Sequence, residues 1–383
     1  PMRISEDVRR DITRYFDAVE ADEAAAQAQL AGTHAVARLE ERLCTLYGMR
    51  HALCVSSAST GLLGVALALN LDGEEFITTP YTYGATVAGW MLLGARPVFA
   101  DVDPETLTLD PEAVGDAVTE NTKAILAVDI FGNPCDSQAL RTIAERYGLW
   151  YVADAAQSFG ARRDGISASR HAHAIVLSFT AGKALFAGEG GAILTDDDDL
   201  YERLVWHTQH PLRQRRDVRL SLDNELAPVN GRIHPLAAVW ANATFDEALR
   251  EVSRRRSRYM CVVDLLNDIG MTGPIRFQEE GIESSFFRIT AAWNVDNGQT
   301  EASGLVEELR RRGVSARVEE PPAGLVYRLA AFRAQFPQYV PSTPPPVAER
   351  QATHRIAIRT RDVPSKRTGD DHAPVSCEAV GDD

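Results

Sequence analysis

Five cysteines in 383 residues, at positions 44, 54, 135, 261 and 377, form neither a CxxC pair nor a Cys/His cluster. That scatter excludes a disulfide framework and offers no ligand set for structural zinc. Basic charge is short too: 40 Lys and Arg stand against 54 Asp and Glu, a formal net charge of −14. Such a balance argues against a nucleic-acid binder, which needs cations to neutralise phosphates. Long apolar runs are missing. The longest, residues 84–95, falls well short of the roughly 20 residues that span a bilayer. The opening residues include Arg3, Glu6, Asp7, Arg9 and Arg10 and leave no apolar core for a secretory signal. A reduced, cytoplasmic protein away from membranes is the expectation.

Scarcest of all is lysine. Lys123, Lys183 and Lys366 are the only three among the 40 basic residues; the rest are arginines. A guanidinium stays protonated, whereas an amine with an accessible neutral form can act as a nucleophile. Each lysine is therefore informative, most of all one in an apolar, glycine-rich setting.

What is present is ordinary globular material, 45% hydrophobic and 25% charged, in a chain long enough for two or more units. Between residues 34 and 200, apolar strand-like runs at 52–55, 75–78, 97–102, 124–130, 149–153, 174–179 and 191–195 alternate with helix-like segments. The helix-like segments lie at 60–69, 83–93, 111–118 and 137–147. Alternation of this kind predicts an α/β fold, a mostly parallel seven-stranded sheet with helices on both faces. From 234 to 266 the spacing predicts one or two long helices, and residues 286–318 a smaller α+β unit. The expected division is an N-terminal helical segment at 1–33, a large domain at 34–250 and a small C-terminal domain at 251–358. The polar tail at 359–383 has too few apolar residues for a core and is expected to be disordered. The run Asp196–Asp199 follows a strand and reads as a helix cap rather than a metal site.

Lys183 lies in SFTAGKALFAGEGG, which begins at Ser178: a strand ends, a loop presents the amine, and glycines return the chain to another strand. A partly desolvated amine loses basicity and can condense with an aldehyde near neutral pH. Roughly thirty residues earlier, LWYVAD ends a buried strand on Asp154, followed by Ala155, Ala156 and Gln157. A carboxylate at the carboxyl end of a sheet strand faces the ligand crevice and invites a cation, either an arginine or the pyridinium nitrogen of a cofactor. Ser56-Ser57-Ala58-Ser59-Thr60 joins a strand to a helix whose N-terminus suits an anion. Pro80-Tyr81-Thr82-Tyr83 places aromatic rings after the next strand.

The ordered set SSAST, TPYTYGAT, DIFGNPCD, ADAAQSFGA and SFTAGKALFAGEGGAILTDD resembles the DegT/DnrJ/StrS aminotransferases, between about Gly32 and Asn242. These are fold type I enzymes dependent on pyridoxal 5'-phosphate, most of them acting on nucleotide-linked keto sugars or keto-cyclitols. The resemblance implies that Lys183 holds the cofactor as a Schiff base and shuttles the proton. It implies Asp154 at the pyridine nitrogen, Gln157 at the ring hydroxyl and Tyr83 stacked on the ring. Ala58, Ser59 and Ser178 match the phosphate-binding positions. Asn230, in VNGR, matches an N-x-R motif that reaches the cofactor phosphate of the neighbouring subunit, which implies a homodimer with shared active sites. The implied substrates are an amino-acid donor, glutamate in the first instance, and a keto acceptor used in natural-product or surface-sugar biosynthesis.

Three departures stand out. Asp129 takes the place of the family's usual histidine, which predicts altered contacts near the acceptor. The lead-in to Asn230 is unusual, and Arg317 fits the family pattern only loosely. An Arg213–Arg219 cluster admits either a solvated loop or a contact to a phosphorylated acceptor. Two other readings stay open: a pyridoxal-phosphate lyase or dehydratase, and a regulatory protein with an idle pocket. Family dehydratases carry histidine at the Schiff-base position, where this chain has Lys183.

Overall fold

A computed structural model describes residues 6–22, 30–219, 229–268, 281–292, 302–311, 314–318, 325–353 and 355–358. The tail at 359–383 lies outside the described residues. Seven strands form the central sheet: β1 (His51–Val55), β2 (Glu75–Thr78), β3 (Arg96–Phe99), β4 (Thr122–Val128), β5 (Trp150–Asp154), β6 (Ala174–Ser178) and β7 (Gly191–Thr195). Their order is β1-β7-β6-β5-β4-β2-β3, and β7 alone runs antiparallel to its neighbours.

These segments become strands because both faces are covered. Along β4, Ala124 and Leu126 pack into one core and Ile125 and Ala127 into the other. One core is closed by the apolar helix Ala58–Leu69 and by Gly84–Leu92, the other by Ala35–Tyr47, Ser137–Tyr147 and part of Pro235–Asp268. Gly61 lets Ala58–Leu69 lie close on the sheet, since a Cβ there would stand 3.0 Å from Val176 Cγ1. Local chemistry sets the helix ends. Asp136 accepts from Ala139 N–H at the start of Ser137–Tyr147, and Gly148 ends it in the left-handed region at φ 66°. Asp197 caps Asp198–Thr208 as the aspartate run predicts, accepting from Leu200 N–H at 2.8 Å. Among the described residues no group of His, Cys, Asp and Glu could hold a metal ion, and no helix is long and apolar enough to cross a membrane.

The helix Pro235–Asp268 runs unbroken through residue 250, so the expected boundary falls within it. A second sheet, Ile289–Ala292, Arg355–Ile358 and Ala316–Val318 in that order, belongs to the C-terminal part. Hydrogen bonds tie that part back to the loops after β2 and β3. Val326 N–H donates to Pro80 O at 2.8 Å, and Asp101 accepts from Val347 and Ala348 N–H at 2.9 and 2.8 Å.

Candidate active site

The carboxyl ends of β1, β2, β4, β5 and β6 open on one cavity of about 830 Å³. This is the edge where open α/β sheets bind ligands. Ala58, Ser59, Tyr83, Asp154, Gln157, Ser178 and Lys183 all line it, so the fold gathers seven of the eight predicted site residues. Asn230 does not line it; exposed on the loop beside the end of β1, it hydrogen-bonds Arg232.

Asp154 closes β5 and is buried. Its Oδ2 accepts from Thr86 Oγ1 at 2.7 Å and its Oδ1 from Ala156 N–H at 3.1 Å. Burial pushes its carboxyl above the ordinary range, against the pull of those two donors and of Lys183. Lys183 is half-buried on the loop after β6, its Nζ 4.3 Å from the centre of the Phe287 ring. Burial pushes its amine below the ordinary lysine range; Asp154 opposes that shift and Arg288 adds to it. The pair is thus an acid and an amine, each held toward its neutral form in one cavity.

The opposite wall suits an anion. Ser57 caps the helix Ala58–Leu69, accepting from Thr60 N–H at 3.1 Å. Ala58 and Ser59 occupy the first turn, where amides have no intrahelical acceptor. A Cβ at Gly191 would stand 2.6 Å from Leu177 O and 2.7 Å from Ala58 N, so only glycine lets β7 pass beneath this turn. Gln157 Oε1 accepts from Phe131 N–H at 2.8 Å, and Tyr83 stands exposed at the head of Gly84–Leu92.

Other wall residues escaped the sequence reading: Thr86, Phe287, Arg288, Leu325 and Leu329. Thr86 had a legible signal, lying three residues beyond Tyr83 in the TPYTYGAT motif. Phe287 and Arg288 had none, because only the return of the C-terminal chain brings them to Lys183. Arg317, singled out in sequence, also lines the cavity. Asp129 does not; it is fully buried behind the wall. Arg213, Arg216 and Arg219 do not line the cavity either. Arg213 is buried against Glu40 and Asp217, Arg216 pairs with Asp217, and Arg219 with Glu202.

A sequence model of the DegT/DnrJ/EryC1/StrS aminotransferase family matches residues 13–362. The chain belongs to this family. Over 201 residues it is 36% identical to the UDP-2-acetamido-2-deoxy-3-oxo-D-glucuronate aminotransferase of Pseudomonas aeruginosa, covering 52% of this chain and 56% of that protein. Over 167 residues it is 40% identical to the dTDP-4-amino-4,6-dideoxy-D-glucose transaminase of Shigella dysenteriae, covering 44% of this chain and 45% of that protein. The chain thus spans about half the length of the curated relatives it matches. Among solved structures, DesI in the presence of its TDP-sugar product is 28% identical with a TM-score of 0.75, over 94% of this chain and 86% of that one. For 3-amino-5-hydroxybenzoic acid synthase the identity is 26% and the TM-score 0.76, over 94% and 93%. The family fold therefore extends through the C-terminal part.

Proposed function

We propose that this family member is a pyridoxal-phosphate-dependent aminotransferase that moves an amino group from an amino-acid donor, glutamate in the first instance, to a keto sugar or keto-cyclitol. The carrying observation is Asp154: a buried carboxyl at the rim of β5, aimed into the cavity that holds Lys183, with no arginine as partner in its hydrogen bonds. A pyridinium nitrogen is the cation that such a group lacks. Other residues lining the cavity suit the cofactor as well. Lys183 would hold it covalently, Gln157 would donate to its ring hydroxyl, and Tyr83 would cover its ring. Its phosphate would lie on the amides of Ala58 and Ser59 and on Ser178.

When bound, the cofactor supplies an aldehyde and an electron-accepting ring. The chain supplies the rest. Lys183 would anchor the cofactor, and its Nζ would serve as the base that takes the donor's Cα proton and returns it. Burial, which pushes the Lys183 amine below the ordinary lysine range, favours the unprotonated form that this role needs. Asp154 would sit at the ring nitrogen and favour its protonated form. Arg288 and Arg317 place positive charge at the mouth, where a donor carboxylate or an acceptor phosphate would enter.

The named relatives act on nucleotide-linked sugars, which supports the acceptor class. Asn230, exposed and outside the cavity of its own chain, suits a role at a partner's phosphate in a homodimer. A large cofactor unit at 34–250 with a smaller one at 251–358, in a cytoplasmic protein, completes the reading. An absorption band near roughly 410–430 nm that moves to about 330 nm with glutamate is the expected spectrum. Borohydride reduction followed by peptide mapping should tag Lys183. A bound band that ignores every amino donor would favour lyase chemistry or an idle pocket, and no tag at Lys183 would sink the assignment.

A further inference from the structure

Asp129 follows β4 and has no solvent exposure, yet its carboxyl accepts three hydrogen bonds. Its Oδ1 accepts from Cys135 N–H at 2.9 Å. Its Oδ2 accepts from Ser158 Oγ at 2.6 Å and from Ser169 Oγ at 2.8 Å. Its own N–H donates to Asp154 O at 3.1 Å, so the residue joins the ends of β4 and β5. Three donors favour its acceptor-only carboxylate form, against burial, which pushes the carboxyl above the ordinary range. Ser158 adjoins Gln157, which faces the cavity.

The turn that this carboxylate closes is constrained. Phe131 sits at φ 57°, a left-handed conformation that bulky residues rarely adopt. That conformation aims Phe131 N–H at Gln157 Oε1, 2.8 Å away. With its oxygen engaged, the Gln157 amide keeps its two N–H groups for the cavity. The same turn suspends the opposite wall. Gly132 O accepts from Ser285 N–H at 3.0 Å and Ser284 Oγ at 2.9 Å, and Ser285 Oγ donates to Gln157 O at 2.7 Å. A Cβ at Gly132 would stand 2.2 Å from Ser285 Oγ and 3.0 Å from Gln157 O, so the fit has little slack. Phe287, beneath Lys183 Nζ, hangs from this strip.

We propose that Asp129 is a positioning residue: its carboxylate clasps the loops after β4 and β5 and so turns the Gln157 amide nitrogen toward the cavity. The consequence for ligand binding rests on the cofactor reading above; the clasp itself is a property of the chain alone.

Two measurements on the full chain separate these layers. Without cofactor, Asp129→Asn should speed amide hydrogen exchange of segment 129–135 by about tenfold while leaving β1 unchanged. With pyridoxal phosphate, it should weaken binding by about tenfold and at least halve the visible circular dichroism of the bound ring, while borohydride still tags Lys183. Ser158→Ala should reproduce both effects in smaller degree, and it decides the matter if Asp129→Asn does not fold. Ser169→Ala removes a similar bond from a loop outside the cavity wall, and should lower the melting temperature while leaving the dichroism intact. Exchange in segment 129–135 within twofold of the unmodified chain in both Asp129→Asn and Ser158→Ala overturns the clasp. Equal loss of dichroism in Ser158→Ala and Ser169→Ala overturns the positioning role. If the unmodified chain captures no cofactor at Lys183, the cofactor reading falls and the exchange comparison still decides the clasp.

Discussion

Two buried ionic groups, Arg213 and Asp154, meet burial in opposite ways. Arg213, only 1% exposed at its side chain, reaches Glu40 through two bonds of 2.9 Å, Asp217 at 3.1 Å and the Tyr201 hydroxyl at 3.2 Å. Burial alone would favour loss of its proton, but Glu40 and Tyr201 together outweigh it and hold the guanidinium charged. Asp154 has a hydroxyl and a backbone amide as hydrogen-bond partners, and burial wins, lifting its carboxyl above the ordinary range. Arg213 ties the helix Ala35–Tyr47 to the segment around Pro211–Asp217, so its charge is consumed in holding the fold. Asp154 leaves capacity for a ligand. On the proposed function, under-partnered burial, rather than burial itself, is what sets Asp154 apart.

The comparison breaks most visibly at Lys183, which stands on the ligand side. Lys183→Ala should lower transamination by about a thousandfold or more, the loss expected when one group is both covalent anchor and proton carrier. Stability to urea should change little, because the side chain is half-buried in a cavity and not in the core. Single-turnover rates measured beside urea midpoints check both halves. Normal turnover would end the assignment of chemistry to this amine.

Arg213→Met should do the reverse. It strips Glu40 of its guanidinium partner near the interior while Asp217 keeps Arg216, and breaking one side of a buried pair costs about 3–5 kcal/mol. Cofactor affinity per folded molecule should stay within about twofold, since Arg213 does not line the cavity. Urea unfolding and cofactor titration together decide this, and a selective loss of cofactor binding would show that the cluster serves the site after all.

The same contrast explains what could be read from the sequence. The seven strands were legible because each is a short apolar run covered on both faces, and the observed spans differ from the expected ones by at most three residues at an end. Lys183, Asp154, Ala58 and Gln157 were legible because they sit at strand ends, where sequence order alone fixes the side of the sheet. The Arg213–Arg219 cluster was not: its carboxylate partners include Glu40, which only tertiary folding brings near. Asp129 read as a departure near the acceptor, whereas the chain turns it inward to hydroxyls 29 and 40 residues away. The expected boundary near residue 250 falls within the helix Pro235–Asp268, where Arg254, Arg255 and Arg258 pair with Glu251.

The smallest effect tests the comparison most finely. In the chain without cofactor, the raised carboxyl of Asp154 means that the folded state binds its proton more tightly than the unfolded state. Stability from this group is then fullest at acid pH, below the ordinary carboxylate range, and is lost as pH rises through the folded value. Asp154→Asn removes that loss. The cofactor-free variant should be more stable than the unmodified chain near pH 7 by about 1 kcal/mol, the low end of the penalty for a buried polar group short of partners. Near pH 4 the advantage should shrink. Adding pyridoxal phosphate should reverse the order, since only the carboxylate gains a charged partner. Urea midpoints at the two pH values, with and without cofactor, give the sign directly. A variant that is less stable at pH 7 without cofactor would mean that Thr86 and Ala156 already satisfy Asp154, and the distinction from Arg213 would vanish.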